Sequence, residues 1–515
     1  MSGVVAPRAA FHQLRHDTRM RRPWCTLVCI ADESDTDLRE TAASVDACGH
    51  DARLEVVDSV EAAAAAIADA GGWIGFLDAG DTVVPGAMEQ IAARVDGASS
   101  VDLLYSDEIV RDDAGRERAR YKPAWSPDRL RCQPYTGRLT LARAALVASA
   151  GGLRPDLGGC AEFDLVLRVG ERAREVAHIP RPLCVHLAGP TPYPRFATDD
   201  VARAIQVVDE HLARTGVEAV ARPHRTAPGL LRLEPRLRSQ PLVSIVIPTG
   251  GARRSVRGTE VTLVVGCVAS ILRRSTYSRI EIVCVLDDGV DASTREELAR
   301  LAPGPVRFVD FDEPFHFSRK ANRGVVAAAG DVVVVLNDDT EVRTPGWIEA
   351  MLMYALDSPV GAVGARLHFE DGSIQHAGVV GVGGNPGHAY HGFPAETVGH
   401  GANALVPGNF LAVTGACLMT RKAVFLEVGG MSGWFPESYN DLDFCMKVHR
   451  AGYRVVATPD AVLDHFESSS RDGHVAAHEL DLIRRRWGRL LRADPFYNPN
   501  FRSGVADFDR ALSSP

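Results

Sequence analysis

GDVVVVLNDDTEV, residues 330–342, is the stretch on which the fold turns. Val332 to Leu336 is an unbroken aliphatic, mostly β-branched run, the pattern of a strand buried on both faces of a parallel sheet. The run stops abruptly at Asn337, Asp338 and Asp339. Open α/β sheets collect ligands at the carboxyl ends of their strands, and oxygen ligands fixed there suit a hard divalent cation clamped to a phosphate. The same three residues also read as an Asn/Asp turn capping the next helix, since Thr344-Pro345 has the form of a helix start. Spacing leaves both readings open.

Upstream, residues 242–247 form an apolar strand closed by Pro248-Thr249-Gly250, and 264–272 a helix. Residues 279–286 form a second strand ending in Asp287-Asp288-Gly289, 308–310 a third, and 318–329 a helix leading into the opening strand. This alternation is that of a Rossmann-like parallel sheet. Acids at two strand ends, Asp287 and Asp339, then point toward one crevice. A nucleotide fits it, with one carboxylate accepting from base or ribose and the other holding metal on the diphosphate. No GxGxxG or GxxxxGK[ST] follows the first strand, which weakens dinucleotide and P-loop readings.

The first half repeats the plan. An Ala-rich helix over 61–70 leads to an apolar run, 73–77, then Asp78-Ala79-Gly80-Asp81 and Pro85. Later in each half an acid-x-acid pair opens a helix: Glu162-Phe163-Asp164 in one, Asp441-Leu442-Asp443 in the other. Two matched features in one order predict a tandem duplication. The copies are unequal, because register on the apolar strand puts Gly80 where the second copy has Asp339. The first copy is therefore expected to be structural or a sugar-binding platform. The plan is a leader over 1–22, a reduced unit over 23–190, a helix and Arg/Pro-rich linker over 191–240, a second unit over 241–470 and a tail over 471–515.

At 515 residues the chain is long enough for two or three domains. A net charge of −9 speaks against a nucleic-acid binder that works through overall charge. The ten cysteines are scattered, without a CxxC pair, as in reduced buried thiols. No apolar stretch approaches the roughly 20 residues that cross a bilayer. A cytoplasmic protein is expected, with membrane contact at most peripheral. The helix over 479–492 suits such contact: Leu482, Ile483, Trp487, Leu490 and Leu491 lie at helical spacing among five arginines. Packing of that apolar side on the domain is the other reading.

The second half resembles a family 2 glycosyltransferase of the GT-A fold, close to bacterial rhamnosyltransferase-like enzymes of cell-surface polysaccharide assembly. The resemblance is carried by PLVSIVIPT (241–249), EIVCVLDDG (281–289), PFHFSRKAN (314–322), VVVVLNDDTEV (332–342), SIQHAGVV (373–380), AVTGACLMTRKAVFLEVGG (412–430), YNDLDFCMK (439–447) and HFESSSR (465–471). The first half is similar to a degenerate copy, through FLDAGD (76–81), YSDE (105–108), YKPAWSPD (121–128) and AEFDLVLR (161–168). The fold class implied is α/β, two tandem GT-A units with Rossmann-like, mostly parallel sheets, the first reduced.

What the resemblance implies is specific. Asn337-Asp338-Asp339 stands where the family has its DxD element. Asp339 is then the main ligand of a divalent metal, Mn²⁺ or Mg²⁺, and Asn337 and Asp338 contact the nucleotide sugar. Asp287 recognises the base beside Thr249, with the match to Asp287 or Asp288 left open. Gly250-Gly251 departs from the family's usual polar pair. Asp441 is the general base that deprotonates an acceptor hydroxyl in a single inverting displacement; the residue-level alternative is a helix N-cap. Asp443 serves as acceptor contact or supporting group, His465 completes the metal shell, and Ser470 and Arg471 reach the diphosphate. His376 and His388 flank a Gly-rich loop, 377–392, that closes over substrate. The partners implied are a nucleotide-diphosphate sugar donor and a glycan or lipid-linked acceptor. The alternatives are a non-catalytic carbohydrate-binding scaffold built from two retired units, and a nucleotidyltransferase, which would need a Gly-rich, Lys-bearing first loop.

Overall fold

The computed structural model describes residues 24–31, 35, 37–48, 51–189, 194, 196–301, 304, 306–466 and 477–509. Two large mixed sheets carry the chain. From one edge, the first runs Ala52–Val57, Cys25–Ile30, Trp73–Leu77, Leu141–Arg143, Val101–Arg111, Glu175–Leu187, Thr82–Val83. The second runs Val306–Phe311, Ile280–Asp287, Val243–Thr249, Val332–Leu336, Cys417–Arg421, Val360–His368, Arg454–His465, Thr340–Val342. Removing the edge strand Val306–Phe311 makes the two orders correspond strand for strand. The likeness extends to detail, for the long parallel pair in each sheet is broken by register shifts.

Pairing registers fix which residues correspond. Trp73 lies beside Cys25 as Val332 lies beside Val243, so Gly80 falls at the place of Asp339. Thr82 opposes Val185 as Glu341 opposes Asp464, which makes His186 the counterpart of His465. Asp164 is fully buried against Arg168 one helical turn on, and Asp443 against Lys447, so Glu162 corresponds to Asp441.

The opening strand is buried on both faces because its alternate side chains enter different cores. Val332, Val334 and Leu336 join one hydrophobic cluster with Trp347 and Met351, while Val333 and Val335 join another with Ala321 and Phe444. Each such side chain contributes about 1.5–3 kcal/mol by leaving water. The helix Phe317–Ala327 rides close on the sheet through Gly324, where a Cβ would stand 2.3 Å from a Val246 methyl.

The stretch read as linker is a packed wedge. Ala219–Pro223 and Leu231–Pro235 form an antiparallel hairpin, and Leu231 and Leu233 are buried. Beside it lies an ionic network between the units. Fully buried Asp128 meets Arg131 at 2.8 Å and Arg454 at 2.9 Å, and Asp357 meets the same two cations at 3.2 and 3.1 Å. Asn409 Nδ2 donates to Asp128 at 2.7 Å. Beyond the helix Ala477–Arg492 the chain returns to the first unit, where Asn498 Nδ2 donates to the buried Asp107 carboxylate and to Lys122 O. A second hairpin, Arg253–Val256 with Thr259–Thr262, is inserted where sequence placed only a loop between strand and helix.

Among the described residues no helix is long and apolar enough to cross a membrane. The C-terminal helix spends its apolar side on the protein: Ile483, Trp487 and Leu491 are buried in the second core. Leu482 and Leu490 of the same helix are half-buried.

Candidate active site

The residues expected from sequence gather at the carboxyl ends of the central strands of the second sheet. Thr249 ends one strand, buried, and its hydroxyl donates to Asp338 while accepting from Gly251 N at 3.0 Å. Asp287 ends the next and pairs with Lys320 Nζ at 2.8 Å. Lys320, almost fully buried on the helix Phe317–Ala327, also donates to Thr249 O at 2.9 Å. It ties the two strand ends into one surface. Asp288 is exposed, so the strand-end partner of Lys320 is Asp287. Burial, and then the neighbouring Asp339, push the Asp338 carboxyl up to about 6.

Asp339 and His465 face each other across the pairing of Thr340 with His465, Oδ1 to Nε2 at 3.0 Å. His465 Nδ1 lies 2.6 Å from Gln375 Oε1, and Asn337 Nδ2 lies 3.1 Å from His465 Nε2. A carbonyl oxygen only accepts and an amide NH₂ only donates, so this arrangement puts the ring proton on Nδ1 and the lone pair on Nε2. The Asp339 carboxylate oxygen and that lone pair therefore lie side by side, with Asn337 Nδ2 in reach of the nitrogen. That donor set fits a divalent cation, and the Gln375 contact is the outer partner that fixes a ligating histidine's tautomer. With one carboxylate and one imidazole from the protein, such a site leaves positions for substrate oxygens.

Asp441 reaches the same strand end by a different route. Asn337 N donates to Ala416 O at 3.0 Å, continuing the pairing of Leu336 with Cys417. One residue earlier, Gly415 N donates to Asp441 Oδ2 at 2.7 Å, and Leu442 N donates to Oδ1 at 2.7 Å. Only glycine permits this approach without displacement, since a Cβ on Gly415 would lie 3.3 Å from the Asp441 Cβ. The helix Asn440–Arg450 starts from Tyr439 in the left-handed region, φ 60°, a backbone state that costs a non-glycine residue about 1–2 kcal/mol. Strain of this kind collects beside functional groups. Asp441 is not the cap of this helix, which falls on Tyr439; its carboxylate takes the N–H of Leu442 in its own helix and that of Gly415 from the facing strand end.

Asp443 has no exposed surface to offer an acceptor. Its Oδ1 accepts from Trp487 Nε1 at 2.8 Å and pairs with Arg486 at 2.8 Å, both on the C-terminal helix. Buried Glu479 of that helix accepts from Glu437 N and Ser438 N, the turn before Asp441. Asp443 and Glu479 thus clamp the C-terminal helix to the segment that carries Asp441. His376 is buried beside this segment, taking Thr414 N at 3.4 Å, with its Nδ1 3.0 Å from His388 Nδ1. Burial, then His388 and His465, hold His376 well below the usual imidazole range. The Gly-rich loop is an antiparallel hairpin, Val379–Val382 with Asn385–His388. Ser470 and Arg471 lie outside the described residues.

Sequence reasoning passed over Lys320, Gln375 and Gly415 as site residues. All three stand in quoted stretches, and Lys320 lies 33 positions from the Asp287 it holds.

Residues 244–427 are a glycosyl transferase family 2 domain. The match ends before Asp441 and His465, so these two rest on the geometry above. Over 519 residues the chain is 34% identical to the uncharacterized protein y4gI of Sinorhizobium fredii (strain NBRC 101917 / NGR234), covering 95% of this chain and 55% of that protein. Over 450 residues it is 32% identical to the O-antigen biosynthesis protein RfbC of Myxococcus xanthus, covering 85% of this chain and 34% of that one. The chain thus spans about half, and about a third, of the length of these relatives. Among solved structures it is similar to GalNAc-T7 with UDP, GalNAc and Mn²⁺, at 14% identity and a TM-score of 0.37 over 54% of this chain and 55% of that one. The mannosyltransferase PcManGT of Pyrobaculum calidifontis, with GDP-Man and Mn²⁺, matches at 14% identity and a TM-score of 0.33 over 50% and 74%.

Proposed function

We propose that the chain is a metal-dependent, inverting glycosyltransferase. It moves a sugar from a nucleotide-diphosphate donor to a hydroxyl of a glycan or lipid-linked acceptor during assembly of surface polysaccharide. One observation carries the reading: Asn337, which lies beside His465 of the Asp339–His465 pair, and Asp441 are joined through the consecutive residues Ala416 and Gly415, so the Asp339 and Asp441 carboxylates lie about one strand end. The family match over residues 244–427 and the O-antigen biosynthesis role in the name of the Myxococcus relative support it.

In this reading Asp287, held by Lys320, and Thr249 receive the base and ribose. Asp339 and His465 hold the cation, which when bound offsets the charge of the departing diphosphate. Asp441 takes the proton of the acceptor hydroxyl as its oxygen bonds to the anomeric carbon and the bond to the diphosphate breaks on the opposite face. The two N–H groups on Asp441 fix the plane of the carboxylate, and each oxygen keeps a further lone pair for that proton. Displacement from the rear inverts the anomeric centre. The first unit, with Gly80 in place of Asp339, holds no such cation.

The test is release of nucleoside diphosphate from a panel of UDP-, GDP- and dTDP-sugars with Mn²⁺. Wild-type turnover abolished in Asp441→Asn, with donor binding retained in a thermal shift, is expected. Full activity in the variant refutes the base assignment, and inert wild type with every donor refutes the enzyme.

A further inference from the structure

The first unit holds a cavity. It measures about 670 Å³, within the range of small-molecule sites, and opens where the second unit has its reaction centre. Comparing the two crevices separates what the first has lost from what it keeps. Gone is the nucleotide side: Ala31 stands for Thr249, Ser59 for Asp287 and Gly80 for Asp339. The edge strand Val306–Phe311 has no counterpart in the first sheet, and the helix Val60–Ala68, which leads into Trp73–Leu77 as the Lys320 helix leads into Val332–Leu336, carries no lysine. Kept is the acceptor side, with Glu162 at the place of Asp441; of the cation pair only the imidazole persists, His186 at the place of His465, and it lies 3.3 Å from Glu108.

The charges in the first unit are largely spoken for. Glu108 is taken by Arg120 at 2.7 Å, Lys122 at 2.8 Å and His186 at 3.3 Å, and Asp78 by Arg138. Glu162 is different: it lines the cavity and makes no hydrogen bond to any described residue. The floor is apolar, built from Ile74, Phe76 and the edge-to-face pair Phe163 and Phe196, whose ring centres lie 4.8 Å apart. Four carboxyl-bearing residues line the wall, Asp78, Glu108, Glu162 and Asp200, against two guanidinium groups, Arg120 and Arg138. That balance repels a diphosphate. A pyranose ring fits instead, since its C–H faces match an aromatic floor and its hydroxyls match one uncommitted carboxyl group at the rim.

We propose that this cavity binds a neutral sugar unit of the glycan on which the second unit acts, a role that rests on the glycosyltransferase reading of that second unit. The first unit then holds the acceptor or its product near the reaction centre, as an anchor without chemistry of its own. Glu162 takes one or two ring hydroxyls and the Phe163–Phe196 corner takes a ring face.

The experiment is saturation-transfer NMR on the full chain in EDTA, without nucleotide. The probes are the methyl glycosides of glucose, galactose, mannose, rhamnose, N-acetylglucosamine and N-acetylgalactosamine, with decanoate and UDP as controls. Saturation of at least one glycoside is expected, weakened roughly two- to tenfold by Glu162→Gln, the scale of one lost hydrogen bond. Val166→Phe, which fills the cavity from a partly exposed helix position, is expected to abolish it, and Asp441→Asn to leave it unchanged. The inference is overturned if no glycoside is saturated, if binding follows Asp441 rather than Glu162, or if decanoate or UDP is the ligand that Val166→Phe displaces. Glycoside binding in a chain that turns over no donor would sink the proposed reaction and leave the cavity assignment standing.

Discussion

Replacing Asp128 by Asn tests whether charge holds the two units together. The carboxylate is fully buried and meets Arg131 and Arg454 at 2.8 and 2.9 Å, one from each unit. Burial works to raise its pKa, and Arg454 and Arg131 together outweigh that and hold the carboxyl below its ordinary range. With Asn there, Asp357 alone remains for the buried guanidinium of Arg131 and the partly buried one of Arg454. Stripping one partner from a buried ionic group costs about 3–5 kcal/mol. Because Asp357 still compensates part of the charge, the lower end, about 3 kcal/mol, is expected, roughly a hundredfold in equilibrium constant. Urea unfolding of the full chain reads it, in a cycle with Arg454→Gln. The double variant is expected to fall short of the summed single losses by more than about 1 kcal/mol, as residues sharing one network do. The pH dependence has a fixed sign. A carboxyl depressed by folding contributes stability above its unfolded value, about 3.9, and loses it as pH falls through the lower folded value. The gap between wild type and Asp128→Asn should therefore narrow below about pH 4. Additive losses, or a gap indifferent to acid, would refute the reasoning.

Three further outcomes follow from the site. Asp441→Asn should lower turnover by about 10²–10⁴ with donor KM little changed, read by coupled release of nucleoside diphosphate. Gln375→Leu frees the tautomer of His465 and should weaken Mn²⁺ binding by about 10–100-fold in calorimetry, and unaltered affinity would remove His465 from the cation site. Trp487→Phe withdraws the N–H from buried Asp443 and should cost about 1–3 kcal/mol in thermal or urea unfolding, a loss absent if the C-terminal helix is loosely held.

The doubly buried strand, its acidic end and the duplication were legible because each is written in adjacent residues. Val332–Leu336 has no polar interruption, and its counterpart Trp73–Leu77 lies in matching register, which is why Gly80 could be set against Asp339 from pattern alone. What escaped is held by distance. Arg253–Val256 and Thr259–Thr262 are short, polar and half exposed, without the alternation that marks a strand. Leu231–Pro235 hides in an Arg/Pro-rich stretch and gains its strand state from a hairpin partner and from burial between units. Sequence leaves Asp443 between acceptor contact and supporting group because the Trp487 and Arg486 that enclose it lie more than forty residues on. The Asp128 network was invisible for the same reason, its partners spanning 326 positions.

The return of the chain to Asp107 sets an order on synthesis. That carboxylate is sealed by Asn498, 391 positions later. At roughly 5–20 residues per second, a nascent first unit waits about 20–80 s before its last donor leaves the ribosome. Through that interval Asp107 has only its first-unit partners, Lys122 N at 2.9 Å and His178 Nε2 at 2.8 Å, and a message truncated before codon 498 yields a first unit that never gains the amide of Asn498.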